Sequence, residues 1–463
     1  MSIRAAIAIL LLVVFCFWTL RRPFVGVCLV VSLFHLNLRV LGAGLEEIRF
    51  QFITTIVLLI SYFLNREELN SELTVTQTPM KWLFAFLGAT FLTSLWAAGD
   101  AALAFDSAIE FSKIVLFAWL MTKIVRTEKE VRILMYVVFA GMFYVSFMSQ
   151  WGVEWDWIDE TEVGVATGGA GCHLMMFVPL MILLAIYGNW KEKIATIAIM
   201  PFVLNFLPNT TSGSRSTLVM LVTSMAFLFI FAPGSMRFKA AGPILIAGAM
   251  FVFFLTPPSY WEDMATILDP TQEGSANSRF IINDATFEII QDYPLGIGYN
   301  NYAEISMKYL PEEVLTELGT RDAHNSYLKV MAEFGVAGFV VWMVTFLMAW
   351  LYFRKIRKTM QHGQKPSMLQ LYALAFELGL IGISVGIYTH SYNDLDTLYW
   401  FVAFSGILFN IHRQQLKETP AESGEPSLPQ KVLARFNGAG KTVIKKTATP
   451  SRSPSPLSTK LAG

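Results

Sequence analysis

His324 opens the run His324-Asn325-Ser326-Tyr327, which follows a long acidic polar loop and leads straight into an apolar helix. An imidazole, an amide and a hydroxyl at the mouth of a membrane span put proton-handling groups at a water–lipid boundary. Imidazole titrates near neutrality, so His324 can take a proton from an attacking hydroxyl. Its place beside Asp322 and Asn325 favours that use over plain packing. His390, in Tyr388-Thr389-His390-Ser391-Tyr392-Asn393-Asp394, is a weaker copy on the same side, with a structural role as its default. His173, which opens a span, reads as packing.

Two arginines could complement those histidines. Arg215 lies in Thr210-Thr211-Ser212-Gly213-Ser214-Arg215-Ser216, where a polar boundary turns into an apolar span. An arginine there can simply snorkel to headgroups. The surrounding hydroxyls and glycine point elsewhere: small residues such as Ser214 let backbone amides approach an anion, a helix N-terminus favours negative charge, and guanidinium grips phosphate bidentately. Arg279, in Asn277-Ser278-Arg279-Phe280, starts a helical pattern in a region where almost every other charge is negative. An exposed ion pair with Asp284 or Glu288 is its ordinary use; turned toward the membrane, it would join Arg215 at one interface.

The elements that must hold these residues are membrane helices. Of the 463 residues, 54% are apolar and the mean hydropathy is +0.50. About thirteen runs reach or approach the length of a bilayer-spanning helix: 5–20, 24–41, 50–64, 82–98, 109–125, 131–149, 174–187, 194–207, 218–231, 241–255, 327–353, 369–389 and 398–412. The predicted fold class is therefore all-α, a polytopic helix bundle of about twelve or thirteen spans.

Net charge is zero, but the charges are sorted by loop. Alternate loops hold Arg21/Arg22, Arg126/Lys129/Arg132, Lys191/Lys193, Arg237/Lys239, Arg354/Lys355/Arg357/Lys358 and the basic tail. The intervening loops hold Glu46/Glu47, Asp100/Asp106, the acids of 154–162, the long insertion 257–323 and Asp394/Asp396. The positive-inside rule makes the first set cytoplasmic and the second external. Arg4 ahead of an apolar run suggests a signal peptide, but no small-residue cleavage pattern follows, so a retained first span fits better. Cys16, Cys28 and Cys172 form no readable disulfide framework or metal site.

Residues 1–412 read as the transmembrane domain and 413–463 as a basic, disordered cytoplasmic tail. Within 257–323, 12 Asp or Glu stand against Arg279, Lys308 and Arg321. Phe280, Phe287 and Ile290 predict an amphipathic helix stopped by Pro294-Leu295-Gly296, then a Gly296/Gly298 turn and a short helix near 304–318. In 150–172, Trp151, Trp155 and Trp157 fit an interfacial aromatic belt, with a flexible Thr167-Gly168-Gly169-Ala170-Gly171 after them. There are no paired halves with broken spans of the kind that mark secondary transporters. No Walker loop, dinucleotide fingerprint or zinc motif is present, so the sequence implies no cofactor or metal, and nothing suggests nucleic acid. An external reaction would need an already activated donor.

Three features together resemble the O-antigen ligase and polymerase family of bacterial envelope proteins. They are Ser-Gly-Ser-Arg-Ser at 212–216, the Ser278-Arg279 to Pro294-Leu295-Gly296-Ile297-Gly298 pattern, and His324-Asn325-Ser326-Tyr327 followed by Glu333-Phe334-Gly335. The resemblance covers mainly 204–353. Arg21-Arg22-Pro23-Phe24-Val25-Gly26 is similar to the branch that accompanies exosortase systems and ligates O-glycans. The resemblance implies a multi-pass protein of the bacterial inner membrane, transferring a glycan from an undecaprenyl-diphosphate carrier to a glycan, lipid or protein acceptor on the periplasmic face. It implies that Arg215 and Arg279 hold the lipid diphosphate and that His324 serves the acceptor hydroxyl. Ser214, Asn325 and His390 complete the expected binding set. At 168–173 the chain lacks the asparagine-bearing segment expected of the family, which leaves donor-sugar contacts open.

The chemistry of the residues agrees. Displacing a sugar from diphosphate develops negative charge on the leaving group, which two guanidinium groups can stabilise without a metal ion. A base on the opposite side of the anomeric carbon produces inversion. Polymerisation of lipid-linked repeat units needs the same chemistry and differs only in acceptor. A transporter or flippase of lipid-linked glycan would need charges deep in the bundle, whereas the readable charges gather at one face.

Overall fold

The computed structural model describes residues 3–36, 48–151, 166–209, 214–265, 274–312, 315, 322–361 and 364–418, and gives no side-chain placement at 166–168, 209, 214, 263 and 274–278. Trp155 and Trp157, the acids of 154–162, Glu46/Glu47, the turn 210–213 and the tail beyond 418 lie outside the described residues. The chain divides into two units, Met1–Gln414 and Gln415–Gly463, and of the second only the end of the last helix is described.

The described residues form helices and no strand. In order these are α1 (Ile3–Arg21), α2 (Pro23–His35), α3 (Phe50–Leu64), the single turn α4 (Arg66–Leu69), α5 (Thr78–Ser94), α6 (Ala101–Ile124), α7 (Glu128–Ser149), α8 (Ala166–Tyr187) and α9 (Trp190–Asn209). Then come α10 (Ser214–Phe231), α11 (Gly234–Met250) with a π-helical continuation Phe251–Leu255, α12 (Pro258–Ala265), α13 (Gly274–Asp292), α14 (Tyr302–Ser306), α15 (Ser326–Arg357), α16 (Met368–Gly386) and α17 (Asp396–Glu418). Each apolar run read from the sequence overlaps one of these helices, although 37–41 of the second run lie outside the described residues and the runs 82–98 and 369–389 extend past the ends of α5 and α16. Among the described residues, 6 helices are long and apolar enough to cross a bilayer: α1, α7, α8, α11 with its continuation, α15 and α16. The protein is an all-α, multi-pass membrane protein.

The helices begin where the local chemistry tells them to. Asp100 caps α6 by accepting from the amides of Ala102 and Leu103; Thr127 with Glu130, and Ser367 with Gln370, form capping boxes on α7 and α16. Each satisfies amides that a helix start would otherwise leave without a partner in the chain. The core is continuous across α5, α6, α8, α10, α15, α16 and α17, with Phe177, Phe376 and Phe401 in mutual ring contact at its centre.

Two expectations are corrected. Residues 167–171 are not a flexible linker: α8 starts at Ala166, so the glycines are helical and His173 is buried within the helix rather than opening it. A Cβ on Gly171 would come within 2.8 Å of Thr217 Cγ2, so glycine serves close packing there. The short helix in the insertion, α14, spans Tyr302–Ser306 rather than 304–318. The chain turns through Tyr309 and Leu310, whose amides bond back to Ser306 O, and Pro311 disfavours helix at the residue before it.

One joint organises the segment that precedes α15. α15 is kinked at Gly335, whose φ of 68° and ψ of 176° are not helical. Pro294–Gly298 lies against the kink: Ile297 N donates to Ala332 O and Gly298 N to Glu333 O, both at 3.0 Å. Ile297 O accepts from Ala98 N at 2.9 Å, so the same segment also ties down the exit of α5. The Pro-Leu-Gly-Ile-Gly and Glu-Phe-Gly motifs, separate in sequence, are the two halves of one contact.

Candidate active site

The first turn of α15 is clasped by the 387–395 turn. Asn325 is the N-cap, its side-chain oxygen accepting from the amides of Tyr327 at 3.0 Å and Leu328 at 3.2 Å. Ser326 N donates to Ile387 O at 2.9 Å and to His390 O at 3.0 Å. Its hydroxyl donates to His390 O at 2.7 Å and accepts from Tyr392 N at 2.8 Å. The amide and hydroxyl that read as proton-handling groups therefore serve the structure, tying the α15 entrance to the α16–α17 connection.

His324 sits between that clasp and Asp322, half-buried, with φ at 47°. A non-glycine residue there costs on the order of 1–3 kcal/mol, and persists only when its surroundings over-determine it. One anchor is the Asn325 cap. The other is an ion pair of Asp322 with Lys329 at 3.0 Å, with side-chain exposures of only 12% and 8%. Burial pulls the Asp322 carboxyl up, but Lys329, the Ser391 hydroxyl and His324 together hold it below its ordinary value. The Ser391 hydroxyl stands near enough to favour the charged carboxylate although it closes no hydrogen bond.

His390 faces the same group. Its ring stacks on Tyr392, with centroids 5.0 Å apart and planes 11° from parallel, and its Nδ1 lies 3.1 Å from Thr389 Oγ1. Burial first, then the charges of Arg279 and His324, push its pKa down to about 3, against the opposing pull of Asp322. His390 is thus neutral near pH 7, and a neutral imidazole accepts hydrogen bonds as well as donating them. The Asp394 carboxyl, by contrast, is raised, chiefly by burial and against the nearby Lys329.

Arg279 reaches this cluster from α13, which packs across α15. It is half-buried, and its charge acts on both His390 and Tyr392. α13 itself is pinned by Thr286 Oγ1 and Tyr302 OH, 2.6 Å apart, and by the stop at Pro294. Of the residues singled out in the sequence, the structure brings His324, His390, Arg279, Asn325 and Asp322 together.

Arg215 approaches on α10, which runs antiparallel to α16. A Cβ on Gly386 would lie 3.5 Å from Met220 Sδ, and one turn further along α10 Ser224 Oγ donates to Leu378 O at 3.1 Å. One turn the other way, the register brings Arg215 and Ser216 level with the start of the 387–395 turn. Arg215 is half-buried on the first turn of its helix. Ser214 begins that helix, but its side chain is not described.

Sequence reasoning missed Lys329, which looks like an ordinary charge at a span entrance, and the clasping role of Ser326. The only signal for Lys329 was its spacing: one helical turn inside the span, it needs a nearby anion to be buried.

A family model described as O-antigen ligase matches residues 202–343. The match begins within α9 and ends within α15, and takes in Ser214, Arg215, Arg279, His324 and Asn325, while His390 lies beyond it. Over that stretch the chain is O-antigen ligase-like. No curated protein matches the chain.

Proposed function

We propose that this O-antigen ligase-like protein transfers a glycan, with inversion, from an undecaprenyl-diphosphate carrier to an acceptor hydroxyl at the periplasmic face of the bacterial inner membrane. The observation that carries the reading is the gathering of His324, His390, Asp322 and Arg279 around one helix entrance, at the end of the bundle where α10 presents Arg215. His324 takes the proton of the acceptor hydroxyl as its oxygen bonds to the anomeric carbon. The bond from that carbon to the diphosphate oxygen breaks, and its electron pair leaves with the undecaprenyl diphosphate. Arg215 and Arg279 receive the developing charge; preorganised cations at that point stabilise the transition state more than the ground state. We assign His390 and the start of α10 at Ser214 to the binding side, with Asn325 holding the α15 entrance as its cap. Ligation and polymerisation share these steps and differ only in the acceptor.

The test uses the purified chain in lipid nanodiscs, with an undecaprenyl-diphosphate-linked glycan and candidate acceptors, and follows released undecaprenyl diphosphate. A positioned base contributes about 10² to 10⁴ in rate, so His324→Ala loses transfer by that order while donor binding survives. Wild-type activity falls as pH drops through the imidazole range, because only the neutral ring accepts a proton. Full transfer by His324→Ala with an unchanged pH profile removes the proposal; if His390→Ala then abolishes transfer, the base is His390.

A further inference from the structure

Lys329 is a buried cation that the proposed reaction does not use. It projects from the second turn of α15 onto Asp322, which precedes the base by two residues. The pair is nearly enclosed. A buried ion pair is a poor source of net stability, because desolvating both charges offsets most of their attraction. Apolar residues of similar volume would hold the chain as well, so a conformational or electrostatic role better accounts for the charges.

We infer that Asp322 and Lys329 are positioning residues for His324: the pair fixes the backbone on the N-terminal side of the base, and its carboxylate supports the imidazolium that forms when the base takes its proton. This rests on His324 being the base. The first half follows from the backbone. His324 is left-handed, and its C-terminal side is held by the Asn325 cap and the Ser326 clasp. Asp322 supplies the anchor before it, and Lys329 links that anchor to the helix that the cap begins.

The second half follows from the charges around His324. On its own segment there is Asp322; on α15, Lys329 and, further in, Glu333; on the 387–395 turn, His390 and Asp394; on α13, Arg279. Arg279 opposes a cation in this cluster, as its effect on His390 shows, and His390 is itself held neutral. Asp322 is an anion that interacts with both imidazoles. Lys329 moderates it. An anion near an imidazole favours the protonated ring, so Asp322 raises the pH at which the base is half-protonated and Lys329 lowers it.

The two partners should therefore move the acid limb of the pH–rate profile in opposite directions, which a merely structural ion pair would not do. With the full chain in nanodiscs and the undecaprenyl-diphosphate-linked glycan as donor, Asp322→Asn should shift the limb down by about one pH unit and Lys329→Met should shift it up. Asp322→Asn should also lower kcat about tenfold to a hundredfold, part of what a positioned base contributes, with donor KM nearly unchanged. Asp322→Glu should keep the limb and recover part of the rate. An unmoved limb, or shifts of the same sign in both variants, overturns the inference. Should either single variant fail to accumulate in the membrane, Asp322→Asn/Lys329→Met, which removes both charges of the pair together, decides: a reduced kcat at unchanged KM supports the inference and a wild-type kcat sinks it. His324→Ala in the same series separates the layers. If it keeps the wild-type rate and limb, the base assignment fails; if it loses transfer while the pair variants leave the limb in place, only the inference fails.

Discussion

Replacing Gly335 by alanine tests the joint on which the site is hung. Its φ of 68° and ψ of 176° fall where essentially only glycine is found, and a Cβ there would lie 2.6 Å from both Leu295 C and Pro294 O. Those are backbone atoms, which cannot swing aside. Strain in such a region costs about 1–3 kcal/mol and forced overpacking another 1–3, so the docked state of Gly335→Ala is about 2–6 kcal/mol worse. Relief comes from lifting 294–298 away, at the loss of the bonds from Ile297 N to Ala332 O, Gly298 N to Glu333 O and Val336 N to Pro294 O. At about 0.5–1.5 kcal/mol each, these three are worth about as much as the strain. The segment should therefore open locally while the bundle stays folded. Hydrogen exchange in nanodiscs reads this directly: amides of 296–298 should exchange at least about 30-fold faster, since 1.4 kcal/mol is a factor of ten, while α16 remains protected. Gly296→Ala, whose Cβ would meet Glu333 O at 2.5 Å from the other side of the same contact, should do likewise, and the double variant should be much less than additive. Wild-type protection of 296–298 in Gly335→Ala would refute the argument.

Other consequences are open to measurement. Arg215→Lys and Arg279→Lys keep the charge but lose the bidentate fork, so each should impair transfer strongly with normal membrane levels, and the double should be far less than multiplicatively worse if both act on one diphosphate; near-wild-type rates in both singles would remove the clamp. Single cysteines placed in 257–323 of a cysteine-free variant should label with an impermeant reagent in intact spheroplasts, and those at 354–358 should not; the reverse pattern would invert the proposed orientation. His390 is half-buried and held neutral, with its pKa lowered from 6.5 to about 3, so the folded state binds fewer protons than the unfolded state between those values. Stability of the 387–395 turn should accordingly fall as pH drops from 6.5 toward 3, seen as faster exchange after correction for intrinsic rates, and His390→Gln should abolish that acid sensitivity.

What the sequence made legible follows from what a single chain encodes locally. Apolar length marks the helices, because a bilayer imposes it, and loop charge sorts their ends, so the polytopic all-α fold could be read directly. Charged and polar residues at span mouths were legible for the same reason: Arg215, Arg279, His324 and His390 stand out against apolar surroundings. Register between helices was not legible. Nothing local says that Lys329 meets Asp322, that Ser326 clasps His390, or that Gly335 and Gly296 press backbone against backbone, since each depends on how two distant segments slide past each other.

His173 shows the limit most plainly. Its sequence context suggests plain packing, yet it is wholly buried with its Nε2 2.9 Å from His35 Nε2 and its Nδ1 2.5 Å from Thr397 Oγ1. His35 Nδ1 in turn lies 2.7 Å from Val31 O. A carbonyl only accepts, so His35 must donate from Nδ1. For two neutral rings, His35 Nε2 then accepts from the Nε2–H of His173, and His173 Nδ1 accepts from the Thr397 hydroxyl. One carbonyl near the end of α2 thus sets the direction of a chain of bonds joining α2, α8 and α17. Gly141 makes room for it, because a Cβ there would run into the His35 ring. Three polar residues that look independent along the chain are a single bonded unit, and only the packing that draws three helices together at this depth makes them so.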